Sequence, residues 1–234
     1  MKLMQTMTPV VAMCVLGAAG AVAEAGTISF TNTIAEYKGS GFGSVLNLLS
    51  VQNDTSEYGE VSWNGSSHAM TGDAKESSRA TLVSDITGLP GFSADSLYLI
   101  FNINQNHPED AVTLRDFTLT LYNAAGAKQS EEMTWTAPAG GLTLDMVGHG
   151  TGTAGWIFQI SGLAGTNWLT QGTWHWGMKI TSANAITGTN DGADNFFIAS
   201  AGQLVPLPPA AWLGIGLMGG LGIVRLTRRR RIEL

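Results

Sequence analysis

The chain has 234 residues, 13% of them charged and 30 of them glycine, a balance that suits one compact domain with processing segments at its ends. Between Glu24 and Leu204 six Lys and Arg stand against seventeen Asp and Glu, a net of −11 within a formal total of −6. A body of that sign repels a phosphate backbone, which argues against nucleic acid as a partner and for small cations.

The N-terminus reads Lys2, then an apolar run from Met7 to Leu16, then small residues ending Ala21-Val22-Ala23. That order of basic, apolar and A-x-A parts predicts a secretory signal peptide over 1–23, taken by the Sec translocon and cut after Ala23 by signal peptidase. Ala23 and Ala25 offer a second A-x-A frame two residues on. The only cysteine, Cys14, falls inside this segment, so the body carries no thiol, disulfide or Cys-ligated metal.

Residues 24–204 form the predicted domain. Period-2 alternation recurs there, bounded by Gly, Asn, Asp or Pro, as expected for half-buried strands and their turns. The clearest run is Leu114 to Tyr122, where Phe117, Leu119 and Leu121 share one face and Asp116, Thr118 and Thr120 the other. Similar runs are Thr27 to Thr33, Val45 to Gln52, Tyr58 to Trp63, Ala80 to Ile86, Leu97 to Ile103, Glu132 to Thr136, Gly155 to Ser161, Thr173 to Thr181 and Asn195 to Ser200. Without helical crossovers between them, these predict an all-β domain, an antiparallel β-sandwich of jelly-roll type.

Two constellations in the body admit more than one reading. Trp174 and Trp176 share a strand face with Met178 and Ile180, as a sugar-stacking platform or, as the continuous apolar alternation favours, as core. Asn190, Asp191, Asp194 and Asn195 surround a tight turn, either as oxygen ligands for calcium, with Asn102, Asn104 and Glu109 as further donors, or as an ordinary Asx-rich turn. Apart from that calcium reading no cofactor is expected. No G-x-S-x-G, H-E-x-x-H or cysteine nucleophile is present, and His68, His107, His149 and His175 are scattered. No catalytic residue is therefore assigned.

At the C-terminus Val205-Pro206-Leu207-Pro208-Pro209 opens an apolar stretch from Ala210 to Val224, closed by Arg225 and by Arg228, Arg229, Arg230 and Arg231. Those fifteen residues would span about 22 Å as a helix, short of the roughly 30 Å hydrocarbon core. Extending the segment to 207–226 and letting the arginines snorkel makes a transmembrane helix. The arginine cluster would stay cytoplasmic and the acidic body outside, in agreement with the signal peptide.

The order of Pro motif, apolar run and basic stop over 205–231 resembles the PEP-CTERM sorting signal, with V-P-L-P standing where the name-giving form reads V-P-E-P. The resemblance implies recognition at Val205, Pro206, Leu207 and Pro208 by an exosortase in the inner membrane of a Gram-negative bacterium. It further implies removal of the tail and transfer of the body to the cell surface or matrix, in company with exopolysaccharide and biofilm. A plain membrane anchor is the alternative. The expected role is structural or adhesive and non-enzymatic; the rivals are a carbohydrate-binding module and a jelly-roll carbohydrate-active enzyme.

Overall fold

A computed structural model describes residues 26–36, 45–105, 110–146, 154–164, 166–180, 182, 184–190 and 192–204. The signal segment with Ala21 and Ala23, the motif Val205 to Pro208, the apolar stretch 207–226, the arginines 228–231, Asp191 and Glu109 lie outside them. No described helix is long and apolar enough to cross a membrane.

The described chain is all-β. Its strands are β1 (Thr27–Glu36), β2 (Leu46–Val51), β3 (Ser56–Glu57), β4 (Gly59–Trp63), β5 (His68–Gly72), β6 (Thr81–Leu82) and β7 (Leu97–Asn102). There follow β8 (Ala111–Leu114), β9 (Asp116–Tyr122), β10 (Lys128–Thr136), β11 (Leu142–Asp145), β12 (Ala154–Ser161), β13 (His175–Ile180), β14 (Ile186–Thr187) and β15 (Asp194–Ser200). Among the described residues helix is confined to α1 (Val83–Thr87), α2 (Ala201–Leu204) and a 3-10 turn over Asn167–Thr170.

These strands make three sheets: a first of order β1-β12-β7-β15-β2, a second of order β10-β9-β13-β4-β5 with β6 also on β13, and a smaller third of order β11-β8-β14-β3. Every pairing is antiparallel.

Alternation decides which side chains the first two sheets turn toward each other. Leu97, Leu99 and Phe101 on β7, Phe158 and Ile160 on β12, and Phe196 and Ile198 on β15 join one apolar cluster with Phe117, Leu119 and Leu121 on β9. Rings bridge the two sheets. Phe117 meets Phe158 edge-on at 5.2 Å and Phe196 at 5.7 Å, and Trp135 on β10 stands edge-on to Phe158 at 4.9 Å. Ring pairs of this kind contribute roughly 0.5–1.5 kcal/mol each beyond the area they bury.

The opposite face of the first sheet is also partly covered. Ile100, Ile157, Phe197 and Ala199 form a second, smaller cluster with Val45, Tyr98 and Leu204 against it.

Two expected strands differ from what forms. Ala80 to Ile86 pairs only as far as Leu82 and then turns into α1, because Val83 and Ile86 bury at helical spacing while the Val83 and Ser84 amides donate to the Trp174 and Gly172 carbonyls at 2.9 and 3.2 Å. The run from Leu114 to Tyr122 is split at Arg115. Its amide donates to Ala185 O at 2.8 Å and its carbonyl accepts from Ala137 N at 2.7 Å, so β8 joins the third sheet and β9 the second. β5, β11 and β14 lie outside every alternating run read from the sequence, and β3 is two residues long.

The bridging rings predict where the fold is weakest to truncation. Phe158→Ala removes contacts to Phe117, Trp135 and Phe30 at once, so its cost in a urea titration is expected at about 3–5 kcal/mol. A loss below about 1 kcal/mol would show that these rings do not join the sheets.

Candidate functional site

β4 delivers Trp63, the facing strand β5 delivers His68 as its direct partner, and His175 opens β13 next to β6. These three rings line a cleft of about 490 Å³ with Asn47, Arg79, Thr81 and Asp85, its remaining wall being aliphatic. The His175 imidazole stacks flat on Trp63, with centroids 3.9 Å apart and planes 9° from parallel, and His68 tilts against the same indole at 5.5 Å. Trp63 is pinned in turn by its Nε1–H, which donates to the Ala124 carbonyl at 3.0 Å.

Both imidazoles are held below the ordinary histidine value. Burial lowers the His175 pKa, and the neighbouring His68 lowers it further against the opposing pull of Asp85. Burial likewise lowers that of His68, with Arg79 adding to it. The Nδ1 atoms of both rings are buried without a hydrogen-bond partner. Arg79 is fixed by its Nη1, which donates to the carbonyls of Glu76 and Ser78. The cleft thus combines an aromatic wall, two imidazoles, one guanidinium and one carboxylate, a set suited to a small hydroxylated ligand.

The tryptophans weighed from the sequence lie elsewhere. Trp176 is 1% exposed and meets Trp168 edge-on at 5.0 Å, and Met178 and Ile180 are as deeply buried, so this face of β13 is core. His175, on the other face, carries the cleft instead. Its partner His68 sits on a strand that alternation does not reveal, so no sequence signal joins the two.

The second place where polar groups converge is the Asn190 to Asn195 turn. Asp194, with no exposure, accepts from the Asn104 amide at 2.8 Å and from Gln105 Nε2 at 3.0 Å through Oδ1, and from the same amide group at 3.2 Å through Oδ2. Gln105 is oriented by the Asn190 amide, which donates to its Oε1 at 2.6 Å, and Asn190 Nδ2 donates to Asp110. Asn195 turns away along the strand, its Oδ1 accepting from Ser50 and its Nδ2 donating to Ala193 O at 2.7 Å. Asn190 and Asp194 are therefore linked through Gln105, whereas Asn195 belongs to the pairing of β15 with β2.

Glu57 was not among the expected site residues, yet it is the side chain that meets Asp194. It too has no exposure; its Oε1 accepts from the Asn53 amide at 3.2 Å, and its carboxyl shares a side-chain hydrogen bond with that of Asp194. Burial first, then the Asp194 charge, push the Glu57 pKa up to about 10 against the Asn53 amide, with Asp73 adding to the rise. Burial pushes Asp194 up to about 7, opposed by the Asn104 amide, Gln105 and the Glu57 carboxyl. Among the described residues no three His, Cys, Asp or Glu come together as a metal-holding group.

No family model, curated protein or solved structure matches the chain.

The carboxyl pair predicts the sign of the pH dependence. Both folded-state pKa values lie above the unfolded ones, so the folded chain binds the extra protons. Their contribution is complete below about pH 4 and is lost as the pH rises through about 7 and onward to about 10. In chelator, the melting temperature should therefore fall between about pH 5 and 9, with Asp73 and Asp110 as the other nearby acids. Glu57→Gln supplies an amide donor to Asp194 and removes one titration, so it should flatten that slope and raise the melting temperature by about 3–10 °C near pH 8. An unchanged slope would place the pH sensitivity elsewhere.

Proposed function

We propose that the chain is an exported protein of a Gram-negative bacterium, sorted by a PEP-CTERM-type tail, whose β-domain serves a structural or adhesive, non-enzymatic role at the cell surface or in the matrix. The observation that carries this reading is the order of parts after residue 204: Val205-Pro-Leu-Pro208, an apolar run, and four consecutive arginines from Arg228. The Pro motif begins one residue after α2, and among the described residues every strand lies between Thr27 and Ser200. Cuts after Ala23 and near the motif would therefore leave all three sheets whole, as disposable end segments require. The V-P-L-P stretch favours a stiff, extended peptide that a membrane protease can read, which a simple anchor does not need.

On this reading the Sec translocon and signal peptidase process the front, and an exosortase reads Val205, Pro206, Leu207 and Pro208. Arg228 to Arg231 hold the inner side, and the body joins exopolysaccharide outside the cell. The ring contacts between the two larger sheets support a sandwich, and we assign it to the jelly-roll type. The test is the intact mass of the protein recovered from its host with and without exosortase. A mature form from Glu24 to the Val-Pro region is expected in wild-type cells, and a retained tail in the mutant. A tail kept in wild-type cells would instead make it a permanent anchor.

The cleft at Trp63 favours a second reading, a carbohydrate-binding module. Aromatic walls with convergent polar groups suit sugar rings, and the net charge of −11 in the body disfavours strongly anionic polymers except near Arg79. If sugars bind there, Trp63→Ala should weaken binding on a glycan array by about tenfold or more, equivalent to about 1.4 kcal/mol. Unchanged binding would remove the cleft from consideration.

A further inference from the structure

An edge strand offers unpaired amides and carbonyls to any neighbour, and most of the described edges are defended against that. β1 shifts register between Phe30 and Ile34, where Asn32 takes a left-handed backbone (φ 53). β2 is covered by the chain after β5, as the Lys75 and Arg79 amides donate to the Ser50 and Leu48 carbonyls at 2.8 and 3.1 Å. β10 carries the Lys128–Glu132 ion pair at 2.6 Å. In the third sheet β11 ends on Asp145, whose carbonyl accepts from Trp156 Nε1–H at 2.9 Å, and β3 is two residues long.

β5 has none of these devices. Its residues, His68 to Gly72, include no Lys, Arg, Asp, Glu or Pro, and they pair with β4 without a register shift. Two flanking bonds fix which backbone groups face out: the Asn64 amide donates to Ser67 O at 3.2 Å, and the Asp73 amide to Tyr58 O at 2.8 Å. Bonded positions alternate along an antiparallel ladder, so Ala69 and Thr71 bond β4 while His68 and Met70 turn their amides and carbonyls outward. Among the described residues no strand lies on that side. Three large apolar side chains are exposed among the described residues, and two stand here: Met70 at 37% and Tyr58, whose ring lies against Gly72, at 42%.

We propose that two copies of this chain pair antiparallel through β5 about a two-fold axis, joining their second sheets into one. Charge selects a second copy as the occupant. Each body carries a net −11 over residues 24–204, so two copies repel wherever carboxylates face each other, and β5 is a line of contact without any. The nearest acid, Asp73, lies one residue past the strand and already accepts from Asn53 Nδ2 and the Tyr58 amide, each at 3.1 Å. Under a two-fold axis His68 of each copy meets Met70 of the other, so the outward groups answer one another and both methionines are covered. The far edge of the same sheet is the charged β10, so association closes at two copies instead of running into a filament. Because His68 also lines the cleft at Trp63, pairing sets the two clefts on either side of the axis. The proposal depends neither on the export reading nor on a ligand in that cleft.

The test is sedimentation of the full-length chain in detergent from about 1 to 100 µM, at low and at high salt. A monomer-to-dimer shift is expected with a Kd in the micromolar range, as suits a small interface, and salt should tighten it by screening the two acidic bodies. Met70→Lys puts like charges beside each other at the axis and should weaken the dimer at least about tenfold, while melting within about 2 °C of the wild type when dilute. Thr71→Lys, exposed on the same strand, should weaken it as well. Ile34→Lys makes the same change at the third exposed apolar residue, away from β5, and should leave association unchanged. A chain that stays monomeric throughout would overturn the proposal. So would a dimer that survives both β5 substitutions, which would place the contact elsewhere, or one that Ile34→Lys weakens equally.

Discussion

The body of this protein has no cysteine with which to staple itself, so its three sheets must be held by packing. At the centre of that packing stands the ring lattice of Phe117, Trp135, Phe158 and Phe196, drawn from two strands of one sheet and two of the other. Each ring touches partners across the interface as well as within its sheet, as Phe101 does with Phe196 at 4.4 Å. Interiors packed in this way are crystal-like in density, so the positions of the sheets relative to each other are fixed by shape rather than by directional bonds. The cleft at Trp63 and the enclosure at Glu57 inherit their geometry from that fixed arrangement.

Much of the fold was legible because its signal is local. β1, β2, β7, β10, β12, β13 and β15 fall on alternating runs that any half-buried strand must show, and Trp176 reads as core from its apolar neighbours two and four residues on. What misled was also local. Ala80 to Ile86 has the composition of a strand, and only the carbonyls of Gly172 and Trp174, delivered by distant sequence, cap the start of α1. At Arg115 the apolar alternation slips by one residue, from Val112 and Leu114 to Phe117, Leu119 and Leu121, as the backbone changes partners, a slip hidden when Leu114 to Tyr122 is read as one run. The two-residue strands β3 and β14 span a single period of the pattern, too little to announce them.

The sites were less legible, for a different reason. His68 and His175 meet only because β4 lies between β5 and β13, and Glu57 meets Asp194 only because the third sheet abuts the first. In sequence, Asn53-Asp54-Thr55-Ser56-Glu57 has the look of a solvated turn, and its glutamate is wholly buried. The Asn190 to Asn195 turn was visible as a cluster of oxygens, but side-chain direction sorted its members. Asp194 faces the enclosure, and Asn195, one residue on, necessarily faces the other way.

The placement of β15 has a consequence for how the chain comes to be folded. It is nearly the last stretch of the body, yet it lies inside the first sheet, hydrogen-bonded to β7 on one side and β2 on the other. Until residue 200 is available those two earlier strands have no common neighbour and expose their bonding edges. A polypeptide emerging amino end first, from a ribosome or through a membrane pore, thus cannot close this sheet until almost all of it has passed, and such long-range closure is slow. The order of strands by itself postpones completion of this sheet until nearly the whole body is available.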